Sequence, residues 1–148
     1  MMNITIRTAA EADLPAVLAM SDALLAEDIC NGLVPDGLDS LRACRILLAE
    51  ADGAPVGYAY GQSAESRGQV GSCRRGERYY DLEMICVKPA FRSKGVGRML
   101  FQAQADYARS LGLTTLRLTA VGKDWRRQLR FYEAMGMDFL WATMAMDL

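Results

Sequence analysis

The chain of 148 residues contains no histidine. That absence excludes the Ser-His-Asp and Cys-His arrangements of nucleophilic enzymes and the usual histidine-based zinc sites. Any acid–base chemistry must therefore come from Asp, Glu, Tyr, Lys, Cys or water. The four cysteines never stand at the C-x-x-C spacing, so neither a zinc ribbon nor a redox pair is predicted. We expect no bound metal.

The sequence also lacks a long apolar run and a strong charge of either sign. No apolar stretch reaches the roughly 18 residues of a membrane span, so no membrane segment is expected. The net charge of -1 argues against a large basic surface for nucleic acid. Residues 1–7 do not show the charged start and apolar core of a signal peptide. With scattered cysteines as well, we expect a cytoplasmic protein.

What is present fits a globular chain. Hydrophobic residues make up 51% of it, and its length is near the commonest domain size, so we predict one domain over residues 1–148. Periodicity and turn residues predict the order β-α-α-β-β-β-α-β-α-β. The predicted strands cover residues 3–8, 45–50, 56–60, 79–87, 114–121 and 139–146, and the predicted helices cover residues 11–27, 38–44, 95–111 and 123–135. Residues 62–78 are expected to form a long exposed loop. The order predicts an α/β fold with a mixed sheet and helices on both faces.

The most informative segment is a predicted strand followed by a proline, a basic turn with glycines, and a helix. Arg92, Gly95 and Gly97 stand at the spacing R-x-x-G-x-G. Glycines let the backbone approach an anion, and the first N–H groups of the helix have no intrahelical partner. This arrangement predicts a pyrophosphate-binding turn, to which Lys94 and Arg98 add charge. The alternative is a turn whose glycines serve only the chain reversal.

A second segment lies near the end of the last predicted helix. Phe131 and Tyr132 stand there, and Gly136 ends the helix. Phe131 fits core packing. The phenol of Tyr132 is a hydrogen-bond donor that either packs with the core or reaches a polar partner.

Together the two segments resemble the GNAT superfamily of N-acetyltransferases. The first family motif is V-x-P-x-(Y/F)-R-x-x-G-x-G, here Val87, Pro89, Phe91, Arg92, Gly95 and Gly97. The second is (L/F)-Y-E-x-x-G-(F/M), here Phe131, Tyr132, Glu133, Gly136 and Met137. The resemblance covers nearly the whole chain and implies a GNAT-like fold with a V-shaped cofactor cleft.

The resemblance further implies that acetyl-CoA binds in this cleft as a co-substrate. It implies direct transfer of the acetyl group, in a ternary complex, to a primary amine of a small molecule or a peptide N-terminus. The residues implied to contact acetyl-CoA are Ile85, Cys86, Val87, Arg92, Ser93, Lys94, Gly95, Val96, Gly97 and Arg98. Tyr132 is implied to protonate the leaving thiolate. Family members often carry Asn and Ala where this chain has Trp125 and Gln128, which keeps open the alternative of a non-catalytic acyl-CoA-binding module.

Two carboxylates are candidates for the catalytic base. Asp81 and Glu83 lie two residues apart on a predicted strand, so we expect them to share a face with Ile85 and Val87. Either could take the proton of the amine, directly or through a water. The alternative is an ion pair with an arginine of the neighbouring loop. The loop arginines are Arg74, Arg75 and Arg78.

Two further groups of residues bear on partners. Four acids, Glu27, Asp28, Asp36 and Asp39, stand where the first two helices meet. They form either a wall that favours a cationic acceptor or ordinary solvated surface. The last predicted strand, over residues 139–146, is rich in apolar side chains for an edge strand, which indicates a homodimer contact.

Overall fold

A computed structural model describes residues 2–148 and contains one five-stranded mixed sheet. The strands are β1 (Ile4–Thr8), β2 (Leu47–Ala51), β3 (Ala54–Glu65), β4 (Arg78–Val87) and β5 (Leu116–Leu118). They lie side by side in chain order, with β1 to β4 antiparallel and β5 parallel to β4. The predicted mixed sheet is confirmed.

Helices cover both faces of this sheet, as predicted. They are α1 (Leu14–Glu27), α2 (Leu38–Arg42), α3 (Val96–Ser110) and α4 (Trp125–Glu133). Because side chains alternate along a strand, β3 contributes to two separate cores. Tyr58 packs with Val17 of α1, whereas Ala59 packs with Val96 and Leu100 of α3.

The hairpin formed by β3 and β4 is longer than predicted. The register continues to Ala64 opposite Tyr79 and Glu65 opposite Arg78, so the connecting loop covers only residues 66–77. The polar residues at the end of β3 gave no strand signal, and their pairing with β4 holds them extended. Strand β5 is shorter than predicted, because it pairs with β4 over only three residues.

The predicted strand over residues 139–146 does not form, and this prediction was wrong. The segment has no regular secondary structure and pairs with no strand within residues 2–148, and Phe139, Leu140 and Trp141 are 57%, 46% and 59% exposed. An apolar pattern cannot supply the backbone hydrogen bonds of a ladder, which need a neighbouring strand. The homodimer expected through this segment stays a prediction.

Two findings concern the whole described range. Within residues 2–148, no helix combines the length and apolar character needed to cross a membrane. Over the same residues, no three His, Cys, Asp or Glu side chains gather as metal ligands. The four cysteines are free thiols, of which Cys73 and Cys86 are buried.

Candidate active site

Strand β4 carries one extra residue opposite β3. Tyr60 pairs with Met84 and Gly61 pairs with Leu82, so Glu83 stands in a β-bulge. The backbones approach closely there, since a β-carbon on residue 61 would lie 2.4 Å from a carbonyl oxygen of β4. Glycine is therefore the residue that this crossing accepts.

The bulge changes which side chains of β4 share a face. Before it, Tyr80 points towards α3, where its hydroxyl donates to a glutamine of that helix at 2.6 Å. After it, Ile85 packs in the same α3 core. Asp81 and Glu83 therefore lie on the opposite face, towards α1. The prediction that both carboxylates share a face with Ile85 and Val87 is wrong, because simple alternation does not count the inserted residue.

Beyond the three residue pairs that join β4 to β5, no strand within the described residues pairs with this edge of β4. Lys88 N donates to Val56 O of β3 at 2.9 Å, which shows which alternate residues of β4 direct their backbone groups towards β3. By alternation, Ile85 and Val87 direct their backbone groups away from β3 and into the resulting cleft. Cys86 directs its backbone to β3, and its thiol is buried near α1.

The turn after β4 leaves a run of amides unpaired. Met99 N donates to Gly95 O, but the six N–H groups of residues 93–98 find no acceptor within the described residues. Ser93 (φ 59°) and Gly95 (φ 85°) adopt the left-handed conformation. Alternating handedness of this kind turns successive amides to one side and forms a concavity for an anion. The following helix adds its positive end.

Arg92 does not extend into this concavity. Its guanidinium makes two hydrogen bonds to Glu27 of α1, at 2.8 and 2.6 Å, and its Nε donates to Val87 O at 2.8 Å. Its own amide donates to Pro89 O. Arg92 therefore ties α1 to the end of β4 and orients the turn, and its charge is neutralised by a carboxylate.

Other cations surround the unpaired amides. Lys94 and Arg98 belong to the turn, and neither is in an ion pair within residues 2–148. Arg127 of α4 adds a third charge, since its Nη2 donates to Ser93 Oγ at 3.2 Å. Sequence reasoning missed Arg127. The available signal was a pair of consecutive arginines at the start of a helix.

The two departures from the family pattern have structural roles at the start of α4. Gln128 Oε1 accepts from Gly122 N at 2.8 Å and fixes the loop that leads from β5 into the helix. Trp125 is half exposed, with the guanidinium of Arg126 4.1 Å from its ring centroid. The carboxylate of Asp124 caps the helix by accepting an amide of its first turn at 3.3 Å. Polar contacts thus define where α4 begins.

Tyr132 stands between α4 and α3. Its ring lies 6.1 Å from that of Phe101 and 5.1 Å from that of Phe131, so the aromatic packing predicted for this helix end is present. The hydroxyl makes no hydrogen bond within the described residues. Burial raises the pKa of Tyr132 to about 12. The phenol therefore keeps its proton at neutral pH and has a free donor.

The segment after α1 crosses to the loop before α4. Asn31 N donates to Val121 O at 2.8 Å, and Lys123 N donates to Ile29 O at 2.9 Å. Lys123 Nζ also donates to Asp28 Oδ1 at 2.9 Å. These contacts join the segment after α1 to the loop between β5 and α4.

The two candidate bases have different surroundings. Asp81 accepts two hydrogen bonds from Arg117 of β5, at 3.2 and 2.8 Å, so the alternative of an ion pair applies to it. The partner comes from the neighbouring strand and not from the loop arginines. Glu83 is exposed, accepts from Gln62 Nε2 at 2.6 Å, and has no ion pair within the described residues. Glu83 is thus the carboxylate whose charge is uncompensated.

The acidic group predicted near the first helices separates into individual contacts. Asp36, in the connection between α1 and α2, accepts from the hydroxyl of Tyr58 at 2.9 Å and from that of Tyr60. The other three acids are each in an ion pair with a cation: Glu27 with Arg92, Asp28 with Lys123, and Asp39 with Arg42. Asp36 alone of the four faces the sheet surface that carries Glu83.

Comparison with known proteins agrees with this arrangement. Residues 18–137 match the acetyltransferase (GNAT) family. Mycothiol acetyltransferase of Propionibacterium freudenreichii subsp. shermanii is 32% identical over 114 residues, which is 77% of this chain. The chain spans about a third of the length of that curated relative, 33%.

Solved structures match almost the whole chain. Aminoglycoside N-acetyltransferase AAC(6')-Iy, in complex with the bisubstrate analog CoA-S-monomethyl-acetylneamine, superposes with a TM-score of 0.75 at 21% identity, over 99% of this chain and 98% of that one. An acetyltransferase of Trypanosoma brucei gives a TM-score of 0.69 at 21% identity, over 99% of this chain and 100% of that one. These likenesses show the fold. With the family match over residues 18–137, they lead to one conclusion: the chain belongs to the GNAT acetyltransferase family.

Proposed function

We propose that this chain transfers an acetyl group from acetyl-CoA to a primary amine, by direct attack in a ternary complex. The observation that carries the proposal is the run of six unpaired amides over residues 93–98, which continues directly from the open edge of β4. The unpaired amides suit a pyrophosphate. The open edge of β4 suits an extended arm that contains amides. Family membership and the CoA moiety in the structure of a fold relative support the same ligand.

The surroundings of the cleft fit acetyl-CoA as the co-substrate. The amides of residues 93–98 would hold the pyrophosphate, with charge supplied by Lys94, Arg98 and Arg127. The backbone groups of Ile85 and the N–H of Val87 would pair with the pantetheine arm as a strand does, since Val87 O already accepts from Arg92 Nε. The backbone groups of Cys86 pair with β3, so Cys86 would not hydrogen-bond to the arm. It would only separate Ile85 from Val87 along β4.

The chemistry needs one base and one acid. The amine nitrogen attacks the thioester carbonyl carbon, and Glu83 takes the ammonium proton directly or through a water. The carbon–sulfur bond then breaks, and Tyr132 gives its proton to the leaving sulfur. Burial raises the pKa of Tyr132 to about 12, so the phenol holds its proton at neutral pH until this step.

Glu83 is preferred over Asp81 as the base. The carboxylate of Asp81 is held by two hydrogen bonds to Arg117, so both of its oxygens are engaged and its charge is compensated. Within residues 2–148, Glu83 has only Gln62 as a partner, at 2.6 Å, which orients the carboxylate without neutralising it. Asp81 would then shape the acceptor side of the cleft.

The acceptor is proposed to be a small molecule or a peptide N-terminus. Towards the loop that connects β3 and β4, the face that carries Asp81 continues into a cavity of about 720 Å³, lined by residues that include Tyr79, Arg117 and Trp141. This cavity gives an acceptor room. The named relatives, a mycothiol acetyltransferase and an aminoglycoside N-acetyltransferase, favour the small-molecule alternative.

A turnover assay tests the proposal. The purified chain is mixed with acetyl-CoA and a panel of amines, and the release of free thiol is followed alongside CoA binding by calorimetry. We expect thiol release that requires both substrates. Tight CoA binding without thiol release on any amine would instead identify a non-catalytic acyl-CoA-binding module.

A further inference from the structure

Asp36 differs from the other half-buried carboxylates of this chain. Five acids within residues 2–148 are half-buried, and four of them are in ion pairs with arginine. The four paired acids are Asp13, Glu27, Glu50 and Asp81. Asp36 has no cation within salt-bridge distance in the described part of the chain. Its charge is therefore the one half-buried negative charge that the protein leaves without a counter-ion there.

Asp36 is nevertheless held firmly in place. Both of its carboxylate oxygens accept phenolic protons, one from Tyr58 and the other from Tyr60, and its amide donates to Ser21 Oγ of α1 at 3.1 Å. Tyr58 and Ser21 are buried, and the rings of Tyr58 and Tyr60 stack at 6.3 Å. The carboxylate is thus immobilised on the sheet, while Asp36 as a whole stays half-buried and not fully enclosed.

The two phenols donate one proton to each carboxylate oxygen of Asp36, but they bring no positive charge. The negative charge is therefore partly desolvated and stays uncompensated, which costs free energy in the unliganded protein. Two hydrogen bonds also leave lone pairs of the carboxylate free to accept more. A charged, oriented and incompletely satisfied acceptor is what a cationic ligand group requires.

Asp36 also shares its surroundings with the proposed base. Tyr60, which donates to Asp36, pairs across the sheet with Met84, the neighbour of Glu83 in the bulge. Burial, then Asp36 and then Glu83 raise the pKa of Tyr60. The two uncompensated carboxylates are therefore both close enough to the Tyr60 hydroxyl to act on it.

From this geometry, and resting on the proposed acetyl transfer, we propose that Asp36 binds a second amino group of the acceptor, in its protonated form, while the reacting amine lies beside Glu83. The preferred acceptor class is then a small molecule with two amino groups. Asp36 is a specificity residue that supplies binding, whereas Glu83 supplies chemistry. A monoamine bound in the same place carries no second charge, so it would leave Asp36 without a counter-ion.

The test compares acceptors that differ only in the second charge. The probes are α,ω-diamines of three to six carbons and the n-alkylamines of the same lengths, each measured with acetyl-CoA. For the wild type we expect kcat/KM to be about tenfold or more higher for a diamine than for its monoamine, the effect of one hydrogen bond to a charged group. In Asp36→Asn this preference should disappear through a higher KM for the diamines.

A matched variant lies on the neighbouring helix. Asp39→Asn removes a fully exposed carboxylate of α2 whose partner is Arg42, and it should keep the diamine preference. Unfolding temperature and the slow hydrolysis of acetyl-CoA without acceptor show whether Asp36→Asn still folds and binds CoA. A diamine preference that persists in a folded Asp36→Asn variant, or a wild type that turns over both series equally, would overturn the inference and leave the acetyl transfer standing. Absence of turnover on every amine would instead contradict the proposed function.

Discussion

The two sides of the cleft are charged oppositely and are built differently. On one side, residues 93–98 present six unpaired amides with Lys94, Arg98 and Arg127 around them. On the other side, Glu83 and Asp36 present carboxylates without counter-ions within the described residues. The first side comes mostly from one continuous segment. The second is assembled from a bulge in β4 and a connection between two helices far away in the chain.

This difference shows how the charged side chains around the cleft divide into paired and unpaired groups. Arg92 with Glu27 and Arg117 with Asp81 neutralise one another at the edges of the cleft. The cleft charges that remain free are, on our proposal, completed by a polyanionic co-substrate and a cationic acceptor. This contrast gives four predictions, from the largest expected effect to the smallest.

Glu83→Gln should lower the rate at neutral pH by about 100-fold, the usual contribution of a general base. The loss should shrink at high pH, where the acceptor amine loses its proton without help. Steady-state kinetics between pH 7 and pH 10 measure both effects. Asp81→Asn is the comparison, and it should mainly lower the unfolding temperature, since it leaves Arg117 unpaired. A pH-independent loss in Glu83→Gln would remove Glu83 from the proton transfer.

Tyr132→Phe should lower kcat by about tenfold or more while CoA affinity changes little, because only the donated proton is lost. The folded-state pKa of Tyr132, about 12, lies above the value near 10 of an unfolded chain. The burial of the neutral phenol thus favours the folded state below pH 10, and this contribution is lost as the pH rises towards 12. Because Tyr132 stays protonated, we expect no decrease in the wild-type rate near pH 10 that is due to this residue. A decrease due to Tyr132 would be recognised by its absence from Tyr132→Phe. Such a fall would mean that the phenol titrates normally.

Arg127→Ala should weaken CoA binding by roughly three- to tenfold, the contribution expected of an exposed charge-assisted contact. The effect should diminish as salt rises, because the guanidinium is near solvent. Calorimetric titration with CoA at two salt concentrations measures it. Arg126→Ala is the matched control, since that side chain stacks on Trp125. Equal losses in both variants would mean that only the total charge of α4 matters.

Arg92→Gln and Glu27→Gln should each lower stability, with a coupling of about 1 kcal/mol in a double-mutant cycle. The value is modest because the two side chains are 32% and 26% exposed. Urea unfolding of the two single variants and the double variant gives the coupling. If Arg92→Gln leaves stability unchanged and sharply weakens CoA binding, then Arg92 belongs to the anion side of the cleft after all.

The features that the sequence predicts correctly are local, and those that it misses depend on contacts between residues far apart in the chain. The glycine turn and the Tyr132 helix end were found because each is a local signal within a few residues. The face occupied by Asp81 and Glu83 was predicted wrongly because a bulge arises from the pairing of two strands. Arg127 was missed because its target, Ser93, lies 34 residues earlier in the chain. The strand over residues 139–146 was predicted from its apolar pattern, although no neighbour supplies its hydrogen bonds.

The sequence by itself determined the family, the order of most elements and the backbone conformation of the turn around Gly95. These depend on residues close together, where glycine, proline and hydrophobic periodicity act locally. Only the tertiary structure decided which charges remain free. Neutralisation depends on which distant side chain comes within hydrogen-bond distance, so Arg92 and Asp81 became internal contacts. Glu83 and Asp36 kept charges that, on our proposal, a substrate completes.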